Sequence, residues 1–200
     1  LEIGDLLRQR QITFHVDAAQ TVGRLPIDVK AMNIDLLSIS AHKLYGPKGT
    51  GALYVRQTSP RVRLAPYLRG GGQEKGLRGG THNVPGIVGL GKACELAKLN
   101  LIEETARLTK DRDFLIQKCM QEVKGLVLNG HPTERLCNNI NFTVSGVLSD
   151  QLLLGMGDVA FSSGSACSSG ASEISHVLKA IGTPEDEFAT TVRFGLGRFT

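Results

Sequence analysis

Three short β-rich runs fall within the first 55 residues, and they constrain the fold more than any other feature. Ile12 to Val16 (I-T-F-H-V) ends at Asp17, Asp35 to Ser40 (D-L-L-S-I-S) runs into Ala41-His42-Lys43, and Gly51 to Val55 (G-A-L-Y-V) is the third. Near-continuous apolar strands of this kind suit a sheet covered on both faces, hence an α/β architecture. Polar residues just past the carboxyl ends of such strands sit where α/β sheets bind ligands. The candidate functional residues are therefore sought first at those ends.

Further along, Gly70-Gly71-Gly72 and Arg78-Gly79-Gly80-Thr81 mark a flexible, polar loop region. A long helical pattern follows over Pro85 to Val123, with Val88, Cys94, Ala97, Leu101, Ile102, Leu108, Leu115, Cys119 and Met120 near helical spacing. A helix of that length is expected to bridge two domains. The last 75 residues or so read as α+β. Strands are expected at Leu126–Leu128, Asn139–Val144, Val159–Ser162 and Thr191–Phe194, with helices at Asp150–Met156 and about Glu173–Ile181. A loop of small residues, Ser162 to Gly170, follows the third of these strands. No internal repeat is visible.

Composition excludes several classes. The chain has 200 residues, 41% apolar and 21% charged, which is ordinary for one large or two small globular domains. Its net charge of +4 is mild, and its few aromatic residues are not interleaved with basic runs, so no direct nucleic-acid partner is expected. No apolar run approaches the ~20 residues needed to span a bilayer, so no membrane partner is expected either. The amino end, L-E-I-G-D, reads as the middle of a helix, and the chain is expected to begin inside a larger protein. Cys94, Cys119, Cys137 and Cys167 lie far apart without C-x-x-C spacing. That argues against a metal site and a disulfide framework, and for a reducing compartment.

Lys43 stands just after a buried strand and before glycine-rich turns, an unusual place for a purely solvated charge. An amine held there can serve as a nucleophile. Asp17 ends the preceding strand, where a lone aspartate is more often a helix cap. With Lys43 at the next strand end, both would point into one crevice. Cys167 sits among Ser, Gly and Ala, where burial is not expected and thiol reactivity is. Cys94 and Cys119 fall on the apolar side of a helix and Cys137 precedes a strand, so these three are read as structural.

The segments H-x-D-A-A-Q (His15 to Gln20) and S-x-S-A-H-K-x-Y-G-P-K-G (Ser38 to Gly49) are together similar to the cofactor site of class V aminotransferase-like enzymes. Among these they most resemble cysteine desulfurases of the NifS/IscS type. The resemblance implies a fold-type I pyridoxal-phosphate-dependent transferase. Residues 1–98 would form the C-terminal part of its mostly parallel-sheet large domain, and 99–200 a small α+β C-terminal domain carrying the Cys167 loop. It implies pyridoxal 5'-phosphate held by a Schiff base at Lys43, with Asp17 on the ring nitrogen and Gln20 on the cofactor hydroxyl. Ser40 and His42 would bind the phosphate. Gly70 to Thr81 resembles the family's G-G-G-x-E-x-G-x-R-x-G-T segment, whose threonine, Thr81 here, reaches the phosphate of the neighbouring subunit in a homodimer. Gly79 stands where many members carry serine. The ending Arg193 to Thr200 resembles R-F-x-x-G-R-F-T and implies that Arg193 grips the substrate carboxylate; Arg198 has a weaker claim to that role, with a structural one as the alternative. S-S-G-S-A-C-S-S around Cys167 matches the long loop of the desulfurase group serving iron–sulfur cluster assembly. Beyond it, Gly170, Ile174 and His176 replace residues commonly Ala, Pro and Tyr.

The implied activity is conversion of L-cysteine to L-alanine, with sulfur passed to Cys167 as a persulfide. That sulfur would go to an iron–sulfur scaffold or other acceptor protein, possible tRNA thiolation included. A bacterial cytoplasm is the expected location, with the mitochondrial matrix second. Two other readings suit the same residues: an aminotransferase or selenocysteine lyase on this scaffold, and a non-catalytic sulfur-transfer interaction module. Family members are about twice as long, so the 200 residues alone are expected to be inactive and poorly folded.

Overall fold

A computed structural model describes residues 1–162 and 175–200. The chain divides into two compact units, Leu1–Ile102 and Glu103–Thr200. In the first, α1 (Glu2–Gln9) precedes a three-stranded sheet of β1 (His15–Asp17), β2 (Leu36–Ser40) and β3 (Gly51–Val55), in that spatial order. β1 pairs parallel with β2, and β3 joins antiparallel on the other side. Side chains alternate across the pleat. Val16, Leu37 and Ile39 join the core around Ala18 and Ile34, which places His15, Asp17, Ser38 and Ser40 on the opposite face.

β1 is shorter than the apolar run that announces it, because side chain and main chain of Asp35 both engage its front end. Asp35 Oδ2 accepts from the Phe14 N–H at 2.9 Å, while Phe14 O accepts from both Asp35 N (3.0 Å) and Leu36 N (3.1 Å). The Ile12 N–H is bound back to Leu7 O at the end of α1 (3.0 Å). The buried Asp35 also lies 3.0 Å from Arg8 Nη2 and 2.9 Å from Arg56 Nε. Arg56 donates onward to Ile34 O (2.8 Å) and Val29 O (3.1 Å). This ion trio ties α1, the start of β2 and the end of β3 together, at the sheet edge away from Lys43.

Helix α2 (Val84–Glu122) begins in the first unit and continues into the second. Pro85 suits its first turn, where no intrahelical N–H is needed. Ala93 and Ala97 pack against Leu44 in a small core of their own. Gly89 is required there, since a Cβ would come within 2.5 Å of the Pro47 ring.

In the second unit, β4 (Leu126–Leu128), β5 (Asn139–Val144) and β6 (Thr191–Gly195) form an antiparallel sheet in that order. Ile140, Phe142 and Val192 face a core completed by Leu115, Ile116 and Cys119 of α2. Helix α3 covers Ser149–Gly155 and α4 covers His176–Ala180. Ser175 caps α4, its Oγ accepting from the Leu178 N–H at 3.4 Å. The strand expected over Val159–Ser162 is not formed. The Val159 N–H is spent on Met156 O in a turn (3.0 Å), and only Ser162 pairs with β6, as a single bridge to Arg193. No helix among the described residues is long and apolar enough to cross a membrane.

Candidate cofactor and substrate site

The parallel register Asp17↔Ser38 brings the carboxyl ends of β1 and β2 to one edge of the first sheet. Ala18 N donates to Ser38 O (3.0 Å), coupling the strands one residue past Asp17. Asp17 Oδ1 accepts from Ala19 N (3.0 Å) and fixes the turn that carries the exposed Gln20. After Ser40 the chain tightens into a 3-10 turn, Ala41–Leu44. Ala41 N donates to Thr50 O (3.0 Å) and Gly46 N donates back to Ala41 O (2.9 Å), so both sides of the turn are pinned. Ala41 and Leu44 are buried, which leaves His42 and Lys43 on its less covered side. Ser40 Oγ and His42 Nδ1 lie 2.9 Å apart. Lys43 is half-buried and has neither an ion pair nor a side-chain hydrogen bond among the described residues. One contact at this edge escaped sequence reasoning: His15 Nε2 lies 2.8 Å from Ser38 Oγ. Its signal was the period-2 spacing of His15 and Asp17, which puts both on one face.

Thr81 is exposed at the end of the glycine-rich loop. That loop is closed on itself. Gly79 N donates to Leu68 O (2.9 Å), Gly80 N donates to Gln73 Oε1 (3.2 Å), and His82 Nε2 lies 3.1 Å from Glu74 Oε1. Gly79 passes so close to Gly70 that a Cβ would lie 2.7 Å from the Gly70 N and Cα atoms. A serine at position 79 therefore does not fit this loop conformation.

Arg193 lies on β6 in the second unit. Its main-chain N–H and C=O both turn toward Ser162 (2.7 and 3.0 Å), and Asn141 of β5 stands directly across from it in register. The Arg193 side chain is half-buried and without a carboxylate partner among the described residues. The neighbouring arginines are committed. Arg107 donates to Gly197 O, Arg198 O and Thr200 O at 3.1 Å each, and pairs with Asp111 at 2.9 Å. Arg198 Nε sits 2.8 Å from Glu104 Oε2, which gives it a structural place in the turn after β6. Also unforeseen is a side-chain network on the face that carries Arg193. Asn129 Nδ2 donates to Asn141 Oδ1 (2.6 Å) and to Thr143 Oγ1 (3.0 Å). Asparagine at alternate positions of a strand is unfavoured, and the run Asn139-Ile140-Asn141 was that signal.

Cys167 lies outside the described residues. Cys137 is buried, and Cys94 and Cys119 are half-buried. Burial pushes both of these thiols up, and the Glu122 carboxylate adds to the rise at Cys119.

Over its whole length, residues 1–200, the chain matches the aminotransferase class-V family model, and it belongs to that family. Within the family it is 51% identical over 199 residues to the cysteine desulfurase IscS of Anaeromyxobacter dehalogenans, a match covering all of this chain and 49% of that one. Among solved structures, a NifS-like protein from Rickettsia africae superposes with a TM-score of 0.87 at 31% identity, covering 100% of this chain and 52% of the other. The protein SspA, solved in complex with cysteine, gives 0.76 at 39% identity, covering 98% and 53%. The chain thus spans about half the length of the relatives it matches.

Proposed function

We propose that the protein is a pyridoxal-phosphate-dependent cysteine desulfurase that converts L-cysteine to L-alanine and loads the sulfur onto Cys167. One observation carries this reading: a single sheet edge gathers Asp17, Ser40, His42 and a half-buried Lys43 that has no other partner among the described residues. An amine, a carboxylate, and a hydroxyl–imidazole pair are the donor set that an aldehyde, a pyridine nitrogen and a phosphate require, so the residues present fit the cofactor. When bound, pyridoxal phosphate supplies an electron sink beside the substrate α-carbon.

Lys43 would hold the cofactor through its amine and, once freed from it, would serve as the general base for the substrate α-proton. Asp17 keeps a proton on the ring nitrogen, Gln20 binds the ring hydroxyl, and Ser40 and His42 bind the phosphate. Thr81 reaches the phosphate held by the neighbouring subunit of a homodimer. Arg193, a half-buried cation without a counter-ion among the described residues, takes the substrate carboxylate in a two-point grip. The Cys167 thiolate attacks the substrate sulfur. The carbon–sulfur bond breaks with its electron pair passing to the carbon skeleton, the sulfur remains on Cys167 as a persulfide, and the skeleton takes up a proton at that carbon, regains its α-proton and leaves as alanine. The cofactor-bearing part is assigned to residues 1–98 and the sulfur-accepting part to 99–200. Delivery to an iron–sulfur scaffold or another acceptor protein completes the role, in a bacterial cytoplasm or a mitochondrial matrix.

The test uses the full-length protein. Lys43→Ala is expected to abolish the visible absorbance of the lysine-bound cofactor. Cys167→Ala is expected to keep that absorbance and lose persulfide formation, read by mass spectrometry after L-cysteine addition. An unchanged spectrum in the first variant, or wild-type sulfide release in the second, refutes the assignment.

A further inference from the structure

The β5–β6 pairing says more about Arg193 than its sequence motif does. Both main-chain polar groups of Arg193 are used by Ser162, on the side away from β5. The C=O of Asn141 is likewise turned away from β6, accepting from Asn129 N at 2.9 Å. Asn141 and Arg193 are therefore a non-hydrogen-bonded antiparallel pair, the kind in which Cα atoms approach to about 4.5 Å and side chains lie closest. Both project to the face opposite Ile140, Phe142 and Val192, the core of this sheet.

That second face is organised by hydrogen bonds. Asn129 Nδ2 bridges Asn141 Oδ1 (2.6 Å) and Thr143 Oγ1 (3.0 Å), and Thr143 Oγ1 donates back to Asn129 Oδ1 at 3.2 Å. Thr143 is fully buried, as is Thr191 in register with it, whose Oγ1 donates to Phe188 O (2.9 Å). A half-buried polar network held by hydrogen bonds fixes side-chain direction more strictly than apolar contacts do. The network ends at Asn141, beside a cation that has no carboxylate partner among the described residues.

We propose that Asn141, locked by Asn129, is a positioning residue for Arg193, flanking it with a fixed, uncharged amide so that its charge stays aligned and free for the substrate carboxylate. The proposal rests on the reading of Arg193 given above. An aspartate across from Arg193 would neutralise it from within, and an alanine would leave its lateral side unsupported.

The experiment is steady-state kinetics with L-cysteine on the full-length holoenzyme, with thermal unfolding and calorimetric binding of 3-mercaptopropionate (a carboxylate with no amine) measured alongside. Asn141→Ala and Asn129→Ala are each expected to raise KM severalfold with kcat within about twofold. The double variant should be no worse than the worse single one, because the two residues act as one unit. Asn141→Asp keeps an acceptor for Asn129 and is expected to raise KM about tenfold or more, through the charge it brings to Arg193. 3-Mercaptopropionate binding should weaken in the same order while the unfolding temperature stays near wild type. If Asn141→Ala fails to fold, Asn141→Ser takes its place. Unchanged KM in the alanine or serine variants while Arg193→Ala raises it overturns the positioning role and leaves the carboxylate reading standing. Unchanged KM in Arg193→Ala overturns both. A fall in kcat and unfolding temperature with KM constant marks Asn141 as merely structural and also overturns the proposal.

Discussion

Asp35 has side-chain exposure of 6% and faces Arg56 at 7%, with Arg8 closing the trio from a more exposed position. Removing the carboxylate leaves a buried guanidinium without its counter-charge. Loss of one member of such a pair costs about 3–5 kcal/mol. Asp35→Ala in the full-length protein should therefore lower the urea midpoint markedly, whereas Lys92→Ala, which breaks an exposed pair with Glu95, should move it by under about 1 kcal/mol. The thiols give a second residue-scale prediction. Burial holds Cys94 and Cys119 above the ordinary thiol value, so less thiolate is present at neutral pH than on a free cysteine. Iodoacetamide should label them slowly at pH 7 and faster as pH rises past the ordinary thiol range, followed by mass spectrometry. The stability sign agrees: the neutral thiol suits the fold, and its contribution is intact below the unfolded value and lost as pH climbs through the raised folded one. At this scale the placement of Asp17 and Lys43 at one sheet edge was legible because strand ends are legible. Asn141 was not, because its relevance depends on which residue lies across the ladder, and register is not written in one strand alone.

Elements with a strong period were legible almost to the residue. The pattern over Pro85–Val123 corresponds to α2 at Val84–Glu122, and β3, β4 and β5 keep the ranges their sequences indicate. Elements cut short by local hydrogen bonding were not. β1 loses its first residues to Asp35 and to the end of α1, and residues 159–161 lose their strand to the turn at Met156. The glycine-rich loop lies between these cases, since its composition shows a loop but not its closure. The contact between Gly70 and Gly79 supplies that closure, and it carries a prediction. Gly79→Ser puts a Cβ 2.7 Å from the Gly70 backbone, so the two segments must separate. Arg69, Lys75 and Arg78 lie within or beside this loop as trypsin sites. Limited proteolysis of the full-length variant should cut there severalfold faster than wild type. Equal rates would show that the approach is dispensable.

At the scale of the molecule, each unit has a sheet with one apolar face and a core of its own, around Ala18, Ile34 and Leu37 in the first and Ile140, Phe142 and Val192 in the second. The order of those elements was legible because apolar runs and turn residues are local signals; what covers the remaining apolar surface is not local and left no pattern to read. Large apolar side chains are exposed in both units: Tyr67 is 96% exposed, Leu154 88% and Ile102 86%, with Ile3 and Phe114 also exposed. Single exposed apolar residues are ordinary, and it is their number on a chain this size that makes covering by further protein testable. The 200 residues expressed alone should therefore bind a dye such as ANS and self-associate as concentration rises, read as a growing weight-average mass in sedimentation velocity. If further protein covers this surface, the full-length protein should sediment as one species and bind little dye. A 200-residue chain that stays monomeric and dye-silent at tens of micromolar would show that these residues are tolerated at a free surface, and would count against the idea that they await a covering partner.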